Sequence, residues 1–394
     1  MSVTRFIADR CPFTAAVVMA ALSWAGIFVP NPAAGQTPAA QPPKYEMLVM
    51  GDSIVWGQGL EENQKFYTLV ENEIARRIGR DVNLVNRSHS GATIQSVDKT
   101  TLVEPGEVPL TTPTLWQQLE SAIAGYNCEP RTGEKDKPSH PKYKCKGVNL
   151  VLLDGGINDI GVPKILSPFT SQKSIKKASH KYCYLRMREF LDEVMATFVG
   201  ATVVVTGYYP MICAGQGGTD PNTIRDLILT YLGLAKKKQH KVEKNEQAGH
   251  DWLIDLMSDH SALWKKVSDA DLTMAVDDAN KLAGGAPAIF VKVDLATTEC
   301  YNASETKLFR FLGFDANRNP VTDDPLLKQR IETLCPKAKI DMNAVAIDPL
   351  FRFYLTTICK PAGTGHPNAR GARMYADAIL SGLGPQFPAK SATQ

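Results

Sequence analysis

The sequence predicts an α/β protein: a three-layer α/β/α sandwich around a central, mainly parallel sheet of about five strands. Two observations predict it. Five short apolar runs are spread along the chain, at Tyr45–Met50, Val82–Asn86, Val148–Leu153, Ala201–Thr206 and Ala288–Val293. Between them lie segments whose apolar residues recur every three or four positions. Strands alternating with helices form parallel sheets covered on both faces. "VNLVLLDG" and "ATVVVTG" are near-continuous in aliphatic residues, as strands buried on both faces must be.

In chain order, the first 35 residues read as a secretory signal peptide. Arg5 and Arg10 precede an apolar stretch, Phe13 to Val29, and small residues follow in "NPAAGQ". The stretch is broken by Ser23 and Gly26 and stops at Pro30, short of the roughly 20 residues a transmembrane span needs. Export to a secreted or periplasmic location is the expectation, with residues 36–44 as a flexible linker. A single domain then runs over 45–388 with insertions near 128–145 and 211–261, and 389–394 form a tail.

"EENQKFYTLVENEIARRIG" sets Phe66, Leu69, Val70, Ile74 and Ile78 on one helical face and stops at Gly79. "PTLWQQLESAIAGY" has Pro113 at an expected first-turn position and runs to Gly125. "CYLRMREFLDEVMATFVG" and "ALWKKVSDADLTMAVDDANKLAGG" read as further helices, and the last helix follows His366. The insertion from Met211 to about Ser261 is charged, and a solvated helix or loop is the favoured reading over a cover for the site.

Composition is that of a folded protein, 44% hydrophobic and 22% charged, which sets aside a disordered or low-complexity chain. A net charge of +3 gives no reason to expect nucleic acid as a partner. Once Cys11 leaves with the signal peptide, seven cysteines remain: Cys128, Cys145, Cys183, Cys213, Cys300, Cys335 and Cys359. In an exported chain without a C-x-x-C pair they read as bridges more than metal ligands. Cys128 and Cys145 flank a polar, Pro-rich insertion and form the preferred bridge. Seven is odd, so at least one thiol is free or pairs outside the chain.

Ligands of parallel sheets bind beyond the carboxyl ends of the strands. Gly51-Asp52-Ser53 follows the first run, "NRSHSGAT" with Gly91 the second, and "DGGINDIG" with Asn158 and Asp159 the third; "GTGHPNARG" with His366 precedes the last helix. Each has an ordinary reading alone: a cap for Ser53, a turn for Gly91, an Asx-turn for Asn158-Asp159, a cap for His366. Together they supply a hydroxyl, a glycine amide, a carboxamide and an imidazole, which is what acyl transfer requires.

The four blocks "GDSIVWGQGL", "SGAT", "GGIND" and "HPNARGARMYADAI" resemble, in order, those of the SGNH hydrolases, the GDSL-type esterases and lipases. The resemblance implies a flavodoxin-like fold and an acyl-serine mechanism without metal or cofactor. It makes Ser53 the nucleophile and His366 the general base. The oxyanion hole becomes the Ser53 N–H, the Gly91 N–H and the Asn158 side chain, with Asp52 and Asp159 as braces. Members often carry an acid three residues before the histidine; here that position is Gly363. Either the site is a Ser-His dyad, the favoured reading, or the acid is displaced, with Asp348 the candidate.

Asp294 ends a strand with no catalytic task. In "HDWLIDLMSDH", Asp251, Asp255 and Asp259 read as a solvated helical stripe more than a metal site. Trp56, Tyr208 and Tyr209 are either substrate-site or packing aromatics. The expected activity is hydrolysis of a small-molecule, lipid or glycan ester. The alternatives are a carbohydrate O-acetylesterase and a non-catalytic secreted binding protein on the same fold.

Overall fold

The strands begin at Tyr45, where the apolar run of the first block opens. The structure is a computed structural model of the chain. It describes residues 43–94, 113–131, 143–167, 169–214, 246–282, 287–310, 322, 324–334 and 363–384, all within one unit, Pro43–Gln394. The expected signal peptide, most of the 36–44 linker, Asp348, Cys335, Cys359 and the tail lie outside the described residues.

The described strands are β1 (Tyr45–Val49), β2 (Val82–Asn86), β3 (Cys128–Pro130), β4 (Tyr143–Cys145), β5 (Val148–Leu153), β6 (Thr202–Thr206) and β7 (Ala288–Val291). The helices are α1 (Ser53–Trp56), α2 (Phe66–Ile78), α3 (Leu115–Gly125), α4 (Ile157–Ile160), α5 (Val162–Leu166), α6 (Gln172–Ser179), α7 (Met187–Thr197), α8 (Glu246–Leu282), α9 (Pro325–Leu334) and α10 (Ala369–Gly382). A π-helical stretch, His180–Arg186, joins α6 to α7.

Five strands form one sheet in the order β2-β1-β5-β6-β7, and every pairing in it is parallel. Met47 lies opposite Leu84 on one side and Leu150 on the other, and Leu152 opposite Val204. Val203, Val204 and Val205 are all fully buried, so β6 is covered on both faces, as its unbroken aliphatic run requires. Burying such side chains contributes roughly 1.5–3 kcal/mol each. Helices flank the sheet in two groups: α2 packs with α10, whereas α6, α7 and α8 pack together.

The chain moves from β1 outward to β2, then returns across β1 to β5. That reversal places a topological switch point between β1 and β5, where the loops diverge and leave a crevice at the carboxyl edge. The switch point is where the first and third blocks meet.

β3 and β4 make a separate antiparallel pair in which Cys128 lies opposite Cys145, and the two are disulfide-bonded. The expected bridge is present. A second joins Cys213 to Cys300, and Cys183 is a buried free thiol.

Two expectations are corrected. Pro113 is not in the first turn of its helix: the Thr114 hydroxyl accepts from the Gln117 N–H and the Gln117 side chain answers the Thr114 N–H, so this capping box starts α3 at Leu115. The end of the 211–261 insertion is not a purely solvated face either. It opens α8, and Met257, Ser258, His260 and Ser261 are buried, because this part of α8 packs on the loop after β6. Asp255 and Asp259 are exposed, as the polar stripe predicts.

Candidate active site

Gly51 is where the motif begins, at the end of the buried strand. Its φ of +144° is open to glycine, and a Cβ there would lie 2.2 Å from Asp154 Oδ1 and 2.9 Å from Val55 Cγ2. The space a side chain would fill belongs to Asp154, whose Oδ1 accepts from the Asp52 N–H at 2.7 Å. Gln118 of α3 grips the same glycine from the other side. Its Oε1 accepts from Gly51 N at 2.7 Å and its Nε2 donates to Gly51 O at 2.9 Å. Asp52 caps α1, with Oδ1 accepting from the Ile54 N–H at 2.9 Å. This fits the brace expected of it.

Ser53 is the first residue of α1, so its own N–H points out of the helix start with no intrahelical acceptor to reach. The helix ends after one turn at Gly57, in the left-handed conformation. Gly57 and Gly59 do not slacken the loop, as glycines beside a serine suggest. A Cβ on Gly57 would meet Lys65 Cγ at 2.7 Å, and one on Gly59 would meet Phe309 Cε2 at 2.8 Å. They permit close packing.

The second block is stitched to both neighbours. The His89 N–H donates to Gly51 O at 3.0 Å, and the Ile94 N–H donates to Asp159 Oδ2 at 2.8 Å. Asn158 Nδ2 donates to Ala92 O at 2.9 Å. Gly91 lies between these ties with a φ of +78°. Asp159 is thus a brace in the structure, holding the Gly91 loop against α4.

His366 closes the arrangement. Its Nε2 lies 2.8 Å from Ser53 Oγ, across 313 residues of sequence. The turn that carries it pairs with the segment Lys307–Phe309. Gly365 N donates to Phe309 O, Phe309 N to His366 O and Asn368 N to Lys307 O, at 2.8–2.9 Å. Asn368 then caps α10 through Oδ1, which accepts from the Arg370 and Gly371 N–H groups. Ser53 is nearly buried and His366 partly exposed. An imidazole nitrogen at hydrogen-bond distance from a serine hydroxyl can take its proton.

Gly363, at the position where the family the four blocks resemble often carries an acid, is buried. A Cβ there would meet Leu327 Cδ1 at 2.6 Å, with Gly59 Cα 3.6 Å away. Leu327 of α9 fills the place, so a carboxylate would enter an apolar contact. The alternative acid, Asp348, lies outside the described residues.

Beneath the serine turn, Asp52 and Asp154 are both fully buried. Burial raises both carboxyl pKa values, and the Asp52 charge pushes Asp154 up further, well above the usual carboxylate range. Two carboxyls this close in a dry place resist carrying two charges at once, and the larger upward shift falls on Asp154. Asp154 and Gln118 are the site residues that sequence reasoning passes over. The acid directly after a buried strand, in "LLDGG", is the available signal for Asp154. Gln118 gives none.

Of the three aromatics, Trp56 is half-buried, with its ring 5.2 Å from that of His89 and Lys65 Nζ 4.8 Å from its centroid. Tyr208 and Tyr209 are buried. Asp294 pairs with Lys265 at 2.9 Å. Among the described residues no three His, Cys, Asp or Glu side chains gather into a metal-holding group, and no helix is long and apolar enough to cross a membrane.

Comparison with family models finds no match, and neither does comparison with curated proteins. Solved structures do resemble the chain. An extracellular lipase from Streptomyces rimosus is 12% identical over 86% of this chain and 99% of its own, with a TM-score of 0.43. A phospholipase A1 from Streptomyces albidoflavus NA297 is 13% identical over 86% and 100%, with a TM-score of 0.40. AlinE4, an SGNH-hydrolase family esterase, is 13% identical over 64% and 77%, with a TM-score of 0.25. At TM-scores this low the likenesses bear no weight in assigning an activity. One of these neighbours carries the family name that the four sequence blocks resemble.

Proposed function

We propose that the protein is an exported carboxylic-ester hydrolase working through an acyl-serine intermediate. The contact between His366 Nε2 and Ser53 Oγ, 2.8 Å, is the observation that carries this reading. Two residues so far apart in sequence meet at the carboxyl edge, beside the loops bearing Gly91 and Asn158.

His366 Nε2 accepts the proton as Ser53 Oγ attacks the ester carbonyl carbon. The carbonyl oxygen becomes an oxyanion, received by the N–H groups of Ser53 and Gly91 and by the Asn158 amide. One Asn158 N–H holds Ala92 O, and its second is the one offered to substrate. Collapse of the intermediate expels the alkoxide, which takes the proton back from His366. Water then attacks the acyl-serine, His366 takes its proton, and that proton returns to Ser53 Oγ as the acid leaves. Each oxyanion donor commonly accounts for ~10²–10³ in rate.

Export is supported by the bridges Cys128–Cys145 and Cys213–Cys300, since disulfides persist in oxidising compartments. The test is hydrolysis of p-nitrophenyl esters over a series of acyl lengths. Ser53→Ala and His366→Ala should each lose at least ~10³-fold in kcat. A Ser53→Ala enzyme hydrolysing at the wild-type rate overturns the proposal. Asp348→Asn in parallel identifies the acid: a loss of roughly 10⁴-fold in a folded variant makes Asp348 the third member of a triad.

A further inference from the structure

Tyr208 and Tyr209 follow β6, the strand beside β5, after Gly207, and neither lines an open surface. Their hydroxyls reach in different directions. Tyr208 Oη donates to Asp52 Oδ2 at 3.0 Å and accepts from the Ile157 N–H at 3.3 Å. Asp52 adjoins Ser53, and Ile157 adjoins Asn158. Tyr209 Oη donates to Gly365 O at 2.7 Å, on the residue before His366. One dipeptide therefore touches the three turns that carry nucleophile, carboxamide and base.

We propose that Tyr208-Tyr209 is the positioning element of the site, a rigid strut whose two hydroxyls set the register of Ser53, Asn158 and His366. The inference rests on the ester-hydrolase reading above and deepens it. The strut is fixed at both ends. Upstream it continues from the buried β6. Downstream, Ser261 Oγ accepts from the N–H groups of Met211 and Ile212 at 2.6 and 3.1 Å, and Asn302 pairs with both backbone groups of Cys213. The Cys213–Cys300 bridge closes that end. Burial raises both tyrosine pKa values well above the usual range, so the hydroxyls stay protonated as donors.

A catalytic pair needs this because a displacement of about 1 Å at the reacting groups can cost ~10²-fold in rate. His366 rides on a turn tied by backbone pairings to Lys307–Phe309. Tyr209 refers that turn to the same dipeptide that anchors the serine.

The experiment compares Tyr208→Phe, Tyr209→Phe and Tyr184→Phe in the full chain, with p-nitrophenyl butyrate as substrate and active sites titrated by a p-nitrophenyl phosphonate. Tyr184 is the control: its hydroxyl donates to Asp278 Oδ2 of α8 at 2.7 Å, a bond to neither the strut nor the three turns. Tyr208→Phe and Tyr209→Phe are expected to lose roughly 10–100-fold in kcat per titrated site, with KM within about twofold. The control should keep its kcat per site even if it melts earlier. Wild-type kcat per site in both strut variants overturns the inference, and so does an equal loss in Tyr184→Phe. Failure of the reading beneath is separate: wild type would then hydrolyse no ester and the phosphonate would leave Ser53 unlabelled.

Discussion

Replacing Gly51 by alanine tests whether the first glycine of the motif is there for its backbone and for the room it leaves Asp154. Two costs are legible. A non-glycine residue at a φ of +144° carries about 1–3 kcal/mol of strain. The new Cβ would also stand 2.2 Å from Asp154 Oδ1, so the carboxyl must move away. That breaks its bond from the Asp52 N–H and leaves a buried donor unpaired, a further ~1–3 kcal/mol. The sum, roughly 2–6 kcal/mol, is a large share of the ~5–15 kcal/mol that hold a domain folded. Urea unfolding measures it as a fall in midpoint at constant slope. A double-mutant cycle separates the two costs. In an Asp154→Ala background the clash with the carboxyl is gone and the Asp52 N–H is already unpaired, so Gly51→Ala should cost only the strain and the contact with Val55 Cγ2. The coupling energy between the two changes is therefore expected at about 1–3 kcal/mol. A Gly51→Ala protein within ~0.5 kcal/mol of wild type, or strictly additive changes, would refute the reasoning.

The buried carboxyl pair makes stability pH-dependent in a definite direction. The Asp154 carboxyl titrates higher in the fold than the ~3.9 of the unfolded chain, so the native state binds more protons between those values. Its contribution is fully present below the unfolded value and is lost as pH rises toward and through the raised one, at up to about 1.4 kcal/mol per pH unit. Asp154→Asn, which keeps the Oδ1 acceptor and cannot ionise, should gain on wild type as urea melts move from pH 4 to pH 8; a constant difference across that range counts against the raised titration. Cys183 is fully buried, with burial first among the causes that push its thiol pKa well above the ordinary value. Iodoacetamide should therefore leave it unmodified in native protein and label it on unfolding, as read by peptide mass, and rapid native labelling would contradict its burial.

The sheet was legible because its signal is local. Three of the five strands coincide with their apolar runs to within two residues at either end, and β2 and β5 coincide in full. The four blocks of the site were legible for a related reason: each lies directly after a strand or before a helix, where chain order alone puts it at the carboxyl edge. Strand order was not written in any run. The switch point between β1 and β5 depends on which strands pair, a matter of long-range packing.

What the sequence by itself determined was the alternation of strand and helix and the Cys128–Cys145 bridge, and it put forward Ser53, Gly91, Asn158 and His366 as the candidate cast of the site. The tertiary structure alone decided what holds that cast in place. Gln118 on Gly51, Asp154 on Asp52, Tyr208 between Asp52 and Ile157, and Tyr209 on Gly365 join positions 51 to 156 residues apart. It also decided that Gly57 and Gly59 are packed and that Leu327 stands where a Gly363 side chain would reach. The physical reason is one of range. Periodicity and turn chemistry report on neighbours in the chain, whereas a buried hydrogen bond or a close glycine contact is set by whichever distant segment the fold brings against it.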